Sequence, residues 1–259
     1  MANTKGNAYP LWGINTKFQV FASGSDHQEN PMSNENFAMD IAVAEDGTIW
    51  VLSTKPDPDG GGSKIYWGNG DNQWNEINTP DPGGVAIAGY AGSSCLYKDW
   101  EGNLRSMDTA GKSQVLIQNI ALIDFDYGNG YIWALFPEKE GEIPVLHFAA
   151  DGPNPQFKVF AGNVSPSSLS VDYAGNCYGV VDYSPMSYSK DGQSVFSAGS
   201  GANGETLAIT SKNWSYILST ELNEDGNLIW IWQDEAGGLF QKMNLRASVI
   251  ATTFYEGNR

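Results

Sequence analysis

Residues 37 to 53 read Phe37-Ala-Met-Asp-Ile-Ala-Val-Ala-Glu-Asp46-Gly47-Thr-Ile-Trp50-Val-Leu-Ser53. An apolar run meets an Asp-Gly pair and a second apolar run follows. The glycine accepts the positive φ that a tight turn between twisted strands demands, so the stretch predicts a β-hairpin. Downstream come Lys64-Ile-Tyr-Trp67, a polar turn over 68–72, and Gln73-Trp-Asn-Glu-Ile77. Four short antiparallel strands make one unit.

The same order of runs and turns returns along the chain. Apolar first strands are centred on Ile41, Ile87, Ile123, Leu169, Ile209 and Ile250, separated by 46, 36, 46, 40 and 41 residues. That spacing is the period of β-propeller blades, about 40–50 residues each, and no helical periodicity competes with it. The expectation is an all-β, six-bladed β-propeller of four-stranded antiparallel blades, forming a single domain over residues 1–259. The sixth copy stops after Val249–Tyr255, and the N-terminus supplies what it lacks. Residues 8–14 read as a third strand and 17–21 as a fourth. A composite last blade, with N-terminal outer strands and a C-terminal inner strand, closes the ring and removes a sheet edge. A second strand for this blade is not evident, so three strands are expected there.

Asp40-Ile-Ala-Val-Ala-Glu-Asp-Gly-Thr-Ile-Trp-Val-Leu52, then Ile65-Tyr66 and Trp74-Asn-Glu-Ile77, resembles a tectonin repeat, most closely over residues 37–79. The resemblance implies a propeller lectin that recognises cell-surface glycans through several shallow sites. Short Asp-Gly turns before Trp also occur in lyase and lactonase propellers, which keeps a propeller enzyme with a channel cation as an alternative. A protein-interaction scaffold or secreted cargo is a third reading.

Composition narrows the partners. Lys and Arg number 14 against 30 Asp and Glu, a net charge of −16, which repels phosphate backbones and anionic lipid. Nucleic-acid binding is not expected. No run approaches the ~18 apolar residues of a membrane span, and the first residues lack a signal-peptide pattern, so a soluble chain without membrane insertion is expected.

Sugar recognition needs flat apolar faces beside hydroxyl-binding amides and carboxylates. The stretch from Tyr66 to Trp74 offers both, so Trp67, Asp71, Asn72 and Trp74 are the leading candidate ligand-binding residues, with Trp12, Trp100 and Trp232 as equivalents in other copies. Trp50 and Trp133, on second strands, are expected in the core. No catalytic motif occurs, and neither a cofactor nor a metal is expected at a defined site. Asp57 and Asp59 read as a solvated turn and Asp26-His27-Gln-Glu29 as a loop. The glycine-rich stretch 199–204 reads as a connector, and His147 as a structural residue within an apolar strand. Asp124 and Asp126, two residues apart, share one face of an inner strand, and with Asp40 and Asp172 they outline a conceivable acidic channel. Cys95 and Cys177 occupy equivalent places in non-adjacent copies, too far apart for a disulfide.

Overall fold

The computed structural model describes residues 11–24, 27–58, 61–78, 81–139, 141–161, 164–190, 195–197, 203–211, 214–233 and 240–252. The stretch 199–202, Asp26, Asp59 and residues 253–259 therefore lie outside the described residues. Among the described residues every regular element is a strand.

The hairpin of residues 37–53 forms as the Asp-Gly turn dictates: β4 (Ala38–Val43) pairs with β5 (Ile49–Pro56), and Gly47 sits at φ 89°. The meander continues through β6 (Ser63–Gly68) to the short β7 (Asn75–Glu76). A second meander, β8 (Gly84–Gly89), β9 (Cys95–Asp99), β10 (Leu104–Met107) and β11 (Ser113–Ile117), repeats it. Three more follow: β12 (Asp124–Gly128) to β13 (Tyr131–Phe136), β14 (Val145–Ala150) and β15 (Lys158–Val159); β16 (Leu169–Val171) to β17 (Cys177–Val181), β18 (Ser184–Tyr188) and β19 (Val195–Ser197); and β20 (Gly204–Ser211) to β21 (Trp214–Asn223), β22 (Gly226–Gln233) and β23 (Gln241–Ala247). The last sheet joins the two ends of the chain: β24 (Val249–Thr252) pairs with β1 (Leu11–Ile14), which leads to β2 (Val20–Ser23) and β3 (Asn30–Pro31).

Two expectations need correcting. Leu11–Ile14 is the second strand of the composite sheet, not the third, because it pairs directly with β24, and Asn30–Pro31 completes four strands rather than three. The sheets are also not six separate ones. Hydrogen bonding gives four sheets of four strands and one of eight, in which β6 and β8 meet at Ser63 and Gly84. Glycine makes that seam: a Cβ on Gly83 would stand 2.7 Å from the Gly61 and Ser63 carbonyl oxygens.

The core is divided into layers, each between neighbouring meanders. Trp50, Leu52, Cys95, Tyr97 and Met107 fill the layer between the first two, and Trp133, Phe160, Val171 and Tyr188 fill a later one. Trp50 and Trp133 are fully buried, as expected for indoles on second strands. Their N–H groups also tie neighbours together, Trp50 Nε1 donating to the Ser93 carbonyl at 3.0 Å and Trp133 Nε1 to Gly175 at 3.1 Å, both in the first turn of the following meander. Cys95 and Cys177 are free and buried, and burial pushes both thiols up. His147 is buried too. Its ring stacks on Phe136 at 3.7 Å, and its Nδ1 lies 2.8 Å from the Val145 carbonyl, which makes Nδ1 the protonated nitrogen. Burial lowers its pKa and keeps it neutral.

Candidate functional site

A central channel of about 170 Å³ is lined by β4, β8, β12, β16, β20 and β24. Alternation along each inner strand turns successive side chains toward the two neighbouring meanders, so that Ile41 and Val43 pack toward the composite sheet and Ala42 toward the second meander. Asp40, Asp124 and Asp126 line the channel at the seams between inner strands, Asp124 and Asp126 on one face as their two-residue spacing required. Asp172 does not. It lies in the turn after β16, where it accepts the Asn176 amide at 2.8 Å and the Tyr178 hydroxyl at 3.1 Å.

The three channel carboxylates are committed to backbone. Each accepts the N–H of the next residue on its own strand and one N–H from the inner strand of the following meander. Asp40 receives Ile87 at 3.2 Å, Asp124 receives Leu169 at 2.7 Å, and Asp126 receives Val171 at 2.7 Å. Ser170 continues the pattern by accepting the Ile209 amide at 3.0 Å, and Thr252 donates to the Ile209 carbonyl at 2.8 Å. Adjacent inner strands splay too far apart to pair directly, and these side chains span the gap. Burial raises Asp40 and Asp126 to about 7 and Asp124 to about 6, against the lowering effect of the amides. Among the described residues no three His, Cys, Asp or Glu side chains gather as metal ligands.

The aromatic candidates separate. Trp67 packs in the layer toward the second meander, and Trp74 in the layer toward the composite sheet. They face opposite sides of one sheet and do not bracket a common ligand. Trp74 is further fixed by donating to the Met32 carbonyl at 2.8 Å and by packing on Phe37 at 5.3 Å. Asp71 and Asn72 are exposed in the turn between β6 and β7, and Asp71 accepts the Gln73 amide at 3.2 Å. Trp12 is fully buried and belongs to the core, because its segment is a second strand. Its neighbour Asn15 does reach solvent, in a polar cavity of about 590 Å³ shared with Lys17, Gln19, Glu29, Asp225 and Arg246. Trp232 lies on β22, and its side chain is outside the described residues.

Trp100 is different: it is 65% exposed. Its turn is rigid. Asp99 accepts the Asn103 backbone and side-chain amides at 2.8 and 2.9 Å and the Arg105 guanidinium at 2.6 Å. Burial works against the Asp99 charge, but these bonds prevail and hold its carboxyl below the usual range. The indole lies over Gly61, where a Cβ would stand 2.7 Å from the ring.

Trp100 also belongs to a one-sided pattern. The inner strands run in the same direction, so second-to-third-strand turns and the links into inner strands share one face of the ring, here the entry face. First-to-second and third-to-fourth turns share the other, the exit face. Of the nine large hydrophobic side chains exposed among the described residues, eight are on the entry face. Phe18, Trp100, Ile143, Tyr183 and Leu222 sit in second-to-third turns, and Met39, Val85 and Ile123 where inner strands begin. Only Tyr173 is on the exit face. Sequence reading missed all of these except Trp100. The available signal was Asp182-Tyr183, a two-residue turn between paired Val181 and Ser184 where Asp-Gly or Asn-Gly would be usual.

Neither a family model nor a curated protein matches the sequence. Solved structures match the fold throughout. The chain is similar to one in a nidogen/laminin complex, with TM-score 0.66 and 9% identity, covering 94% of this chain and 97% of that one. It is similar to a gluconolactonase from Xanthomonas campestris, with TM-score 0.60 and 9% identity over 88% and 87% of the two chains. It is also similar to a streptogramin B lyase, with TM-score 0.57 and 14% identity over 95% and 86%. The chain has the β-propeller fold.

Proposed function

We propose that the chain is a non-enzymatic recognition propeller that binds a macromolecular partner across its entry face. The observation that carries this reading is the placement on that face of eight of the nine large hydrophobic side chains exposed among the described residues, because exposed apolar groups that share one face can meet one partner together. The channel supports a structural rather than a chemical role, because its carboxylates are engaged with backbone amides of neighbouring strands. The gluconolactonase and the lyase share the fold, and fold alone does not carry their chemistry to this chain. We read the eight-stranded sheet as two blades in series. That makes six blades, a count supported by the core layers between successive meanders and by the six strands lining the channel.

The test is a photo-cross-linking side chain placed at Ile143 or Leu222 on the entry face, or at Tyr173 on the exit face. The expected result is discrete adducts from the first two and none from the third. Adducts from position 173 alone would overturn the reading.

Carbohydrate binding, as the tectonin resemblance implies, is the second reading, and exposed Trp100 favours it. A glycan array on the parent protein and on Trp100→Ala separates the two. A glycan retained by the parent and lost by the variant would move the function to sugars.

A further inference from the structure

The entry face pairs its apolar side chains with acids. Trp100 is followed by Glu101, Ile143 is preceded by Glu142, Tyr183 by Asp182, and Leu222 by Glu221, and all four carboxylate residues are exposed. Two of them have lysine neighbours, Glu142 at 3.8 Å from Lys139 and Glu221 at 2.9 Å from Lys242. Four of the five second-to-third turns with an exposed apolar group thus present it beside an acid, and Phe18, beside Lys17, is the exception.

Two of these turns are built at a conformational cost. Phe18 has φ 57° and Tyr183 φ 62°, the left-handed region that bulky side chains avoid. Among the described residues the other non-glycine residues there are Asn, Asp or His, which tolerate it. Phe18 and Tyr183 are 46% and 60% exposed, so no core packing accounts for an aromatic at either position. An exposed aromatic in a strained turn costs stability at its own position and points to a contact outside the molecule. The turn that carries Trp100 is braced by the Asp99, Asn103 and Arg105 network and by the Trp100 N–H donating to the Gly83 carbonyl at 3.0 Å, and an ordered backbone loses little freedom on binding.

Building on the entry-face reading, we infer that the partner is a protein segment carrying cationic side chains next to apolar or aromatic ones. Glu101 beside Trp100 and Asp182 beside Tyr183, which no lysine pairs among the described residues, each offer one charge and one hydrophobic contact, while Ile143 and Leu222 offer an apolar contact next to an acid already paired with lysine. The acids steer and orient the segment while the aromatics hold it. The net charge of −16 disfavours an anionic membrane as the occupant.

The probe is a short labelled peptide repeating Arg-Leu-Ser, followed by fluorescence anisotropy. It binds the parent chain and weakens with added salt. Trp100→Ala and Tyr183→Gly each weaken it by about tenfold or more, the loss expected for an anchoring aromatic. Asp182→Asn, which keeps a residue that tolerates the positive φ, weakens it, and Asp71→Asn, an equal charge change on the exit face, does not. Tyr183→Gly retains the parent's melting temperature, since glycine accepts the positive φ, so lost binding is not lost folding. Equal effects of Asp71→Asn and Asp182→Asn would reduce the binding to general attraction and overturn the inference. Equal binding of a peptide with Glu for Arg, or with Ser for Leu, would do the same. So would association with phosphatidylcholine vesicles that Tyr183→Gly abolishes. If the peptide fails while cross-linking at Ile143 still captures a macromolecule, the partner chemistry is wrong and the face stands. If both fail, both readings fall.

Discussion

The Asp126 carboxylate of β12 accepts the Val171 amide of β16 at 2.7 Å, across a seam between two sheets that share no strand pairing. Asp124 makes the rung above it to Leu169, also at 2.7 Å. A propeller must hold adjacent inner strands at a distance too great for backbone pairing, and their channel-facing amides would otherwise lack a protein partner. Carboxylates two residues apart form a short ladder of side-chain rungs. The acids that suggest a chemical channel in the sequence serve as ties between the inner strands of neighbouring meanders.

These ties give the protein a pH dependence of defined sign. The folded-state values of about 7 for Asp40 and Asp126 lie above the ordinary 3.8 of a free carboxyl, because burial penalises the charge. The folded chain therefore holds protons that the unfolded chain releases. Their contribution to stability is full below about pH 4 and is lost as pH rises through about 7. Urea titrations near pH 5 and pH 8 are expected to show lower stability at the higher pH, and Asp126→Asn to narrow the difference. The same substitution sets an amide donor against the Val171 N–H and is expected to cost about 1–3 kcal/mol at pH 5. A parent protein more stable near pH 8, or a variant with the parent's pH profile, would contradict this account.

Trp50 and Trp67 are cross-strand partners with different environments, the first fully buried and the second half-buried. Trp50→Ala opens a cavity between meanders and removes the bond to Ser93, for an expected loss of roughly 3–5 kcal/mol. Trp67→Ala is expected to lose less than half as much. Paired thermal and urea melts check the order, and equal losses would mean that Trp67 is as deeply structural as Trp50.

Closure of the ring rests on β24 pairing with β1 through four residue pairs, Leu11 with Thr252 to Ile14 with Val249. Removing residues 249–259 exposes the edge of β1 and one wall of the channel. The truncated chain is expected to lose cooperative unfolding or to aggregate. A truncated protein that melts as sharply and as high as the parent would show that the ends of the chain do not hold the ring.

The thiols of Cys95 and Cys177 are buried and raised in pKa, so both reaction routes, access and ionisation, are closed in the native state. A thiol reagent is expected to label neither quickly in buffer and both in denaturant. Fast labelling of either in the native protein would place it near a surface the structure does not show.

Much of the fold was legible because its signals are local. The Asp46-Gly47 turn, the apolar runs on either side of it and the recurrence of apolar first strands each depend on neighbours in the chain. The composite sheet was legible in outline, since the last copy lacks outer strands. The order of its strands was not, because Leu11–Ile14 could serve as either a second or a third strand until its partner was known. The candidate site was less legible. Trp67 and Trp74 are seven residues apart around a polar turn, which invites a shared ligand. Only the pleat and twist of the sheet, which turn them toward different core layers, decide otherwise.

By itself, the sequence determined an all-β repeat, free and distant cysteines, a charge that opposes nucleic acid, and carboxylates two residues apart on one strand face. These follow from period, composition and spacing, which act along the chain. Tertiary structure alone decided that the channel carboxylates are tied to the next meander's inner strand, that Trp12 is core and Trp74 packs against a core layer, and that Trp100 is exposed. It alone also gathered Phe18, Ile143, Tyr183 and Leu222 on one face. Residues this far apart in the chain become neighbours only when the meanders are arranged around a common channel, and that arrangement sets which turns face the same solvent.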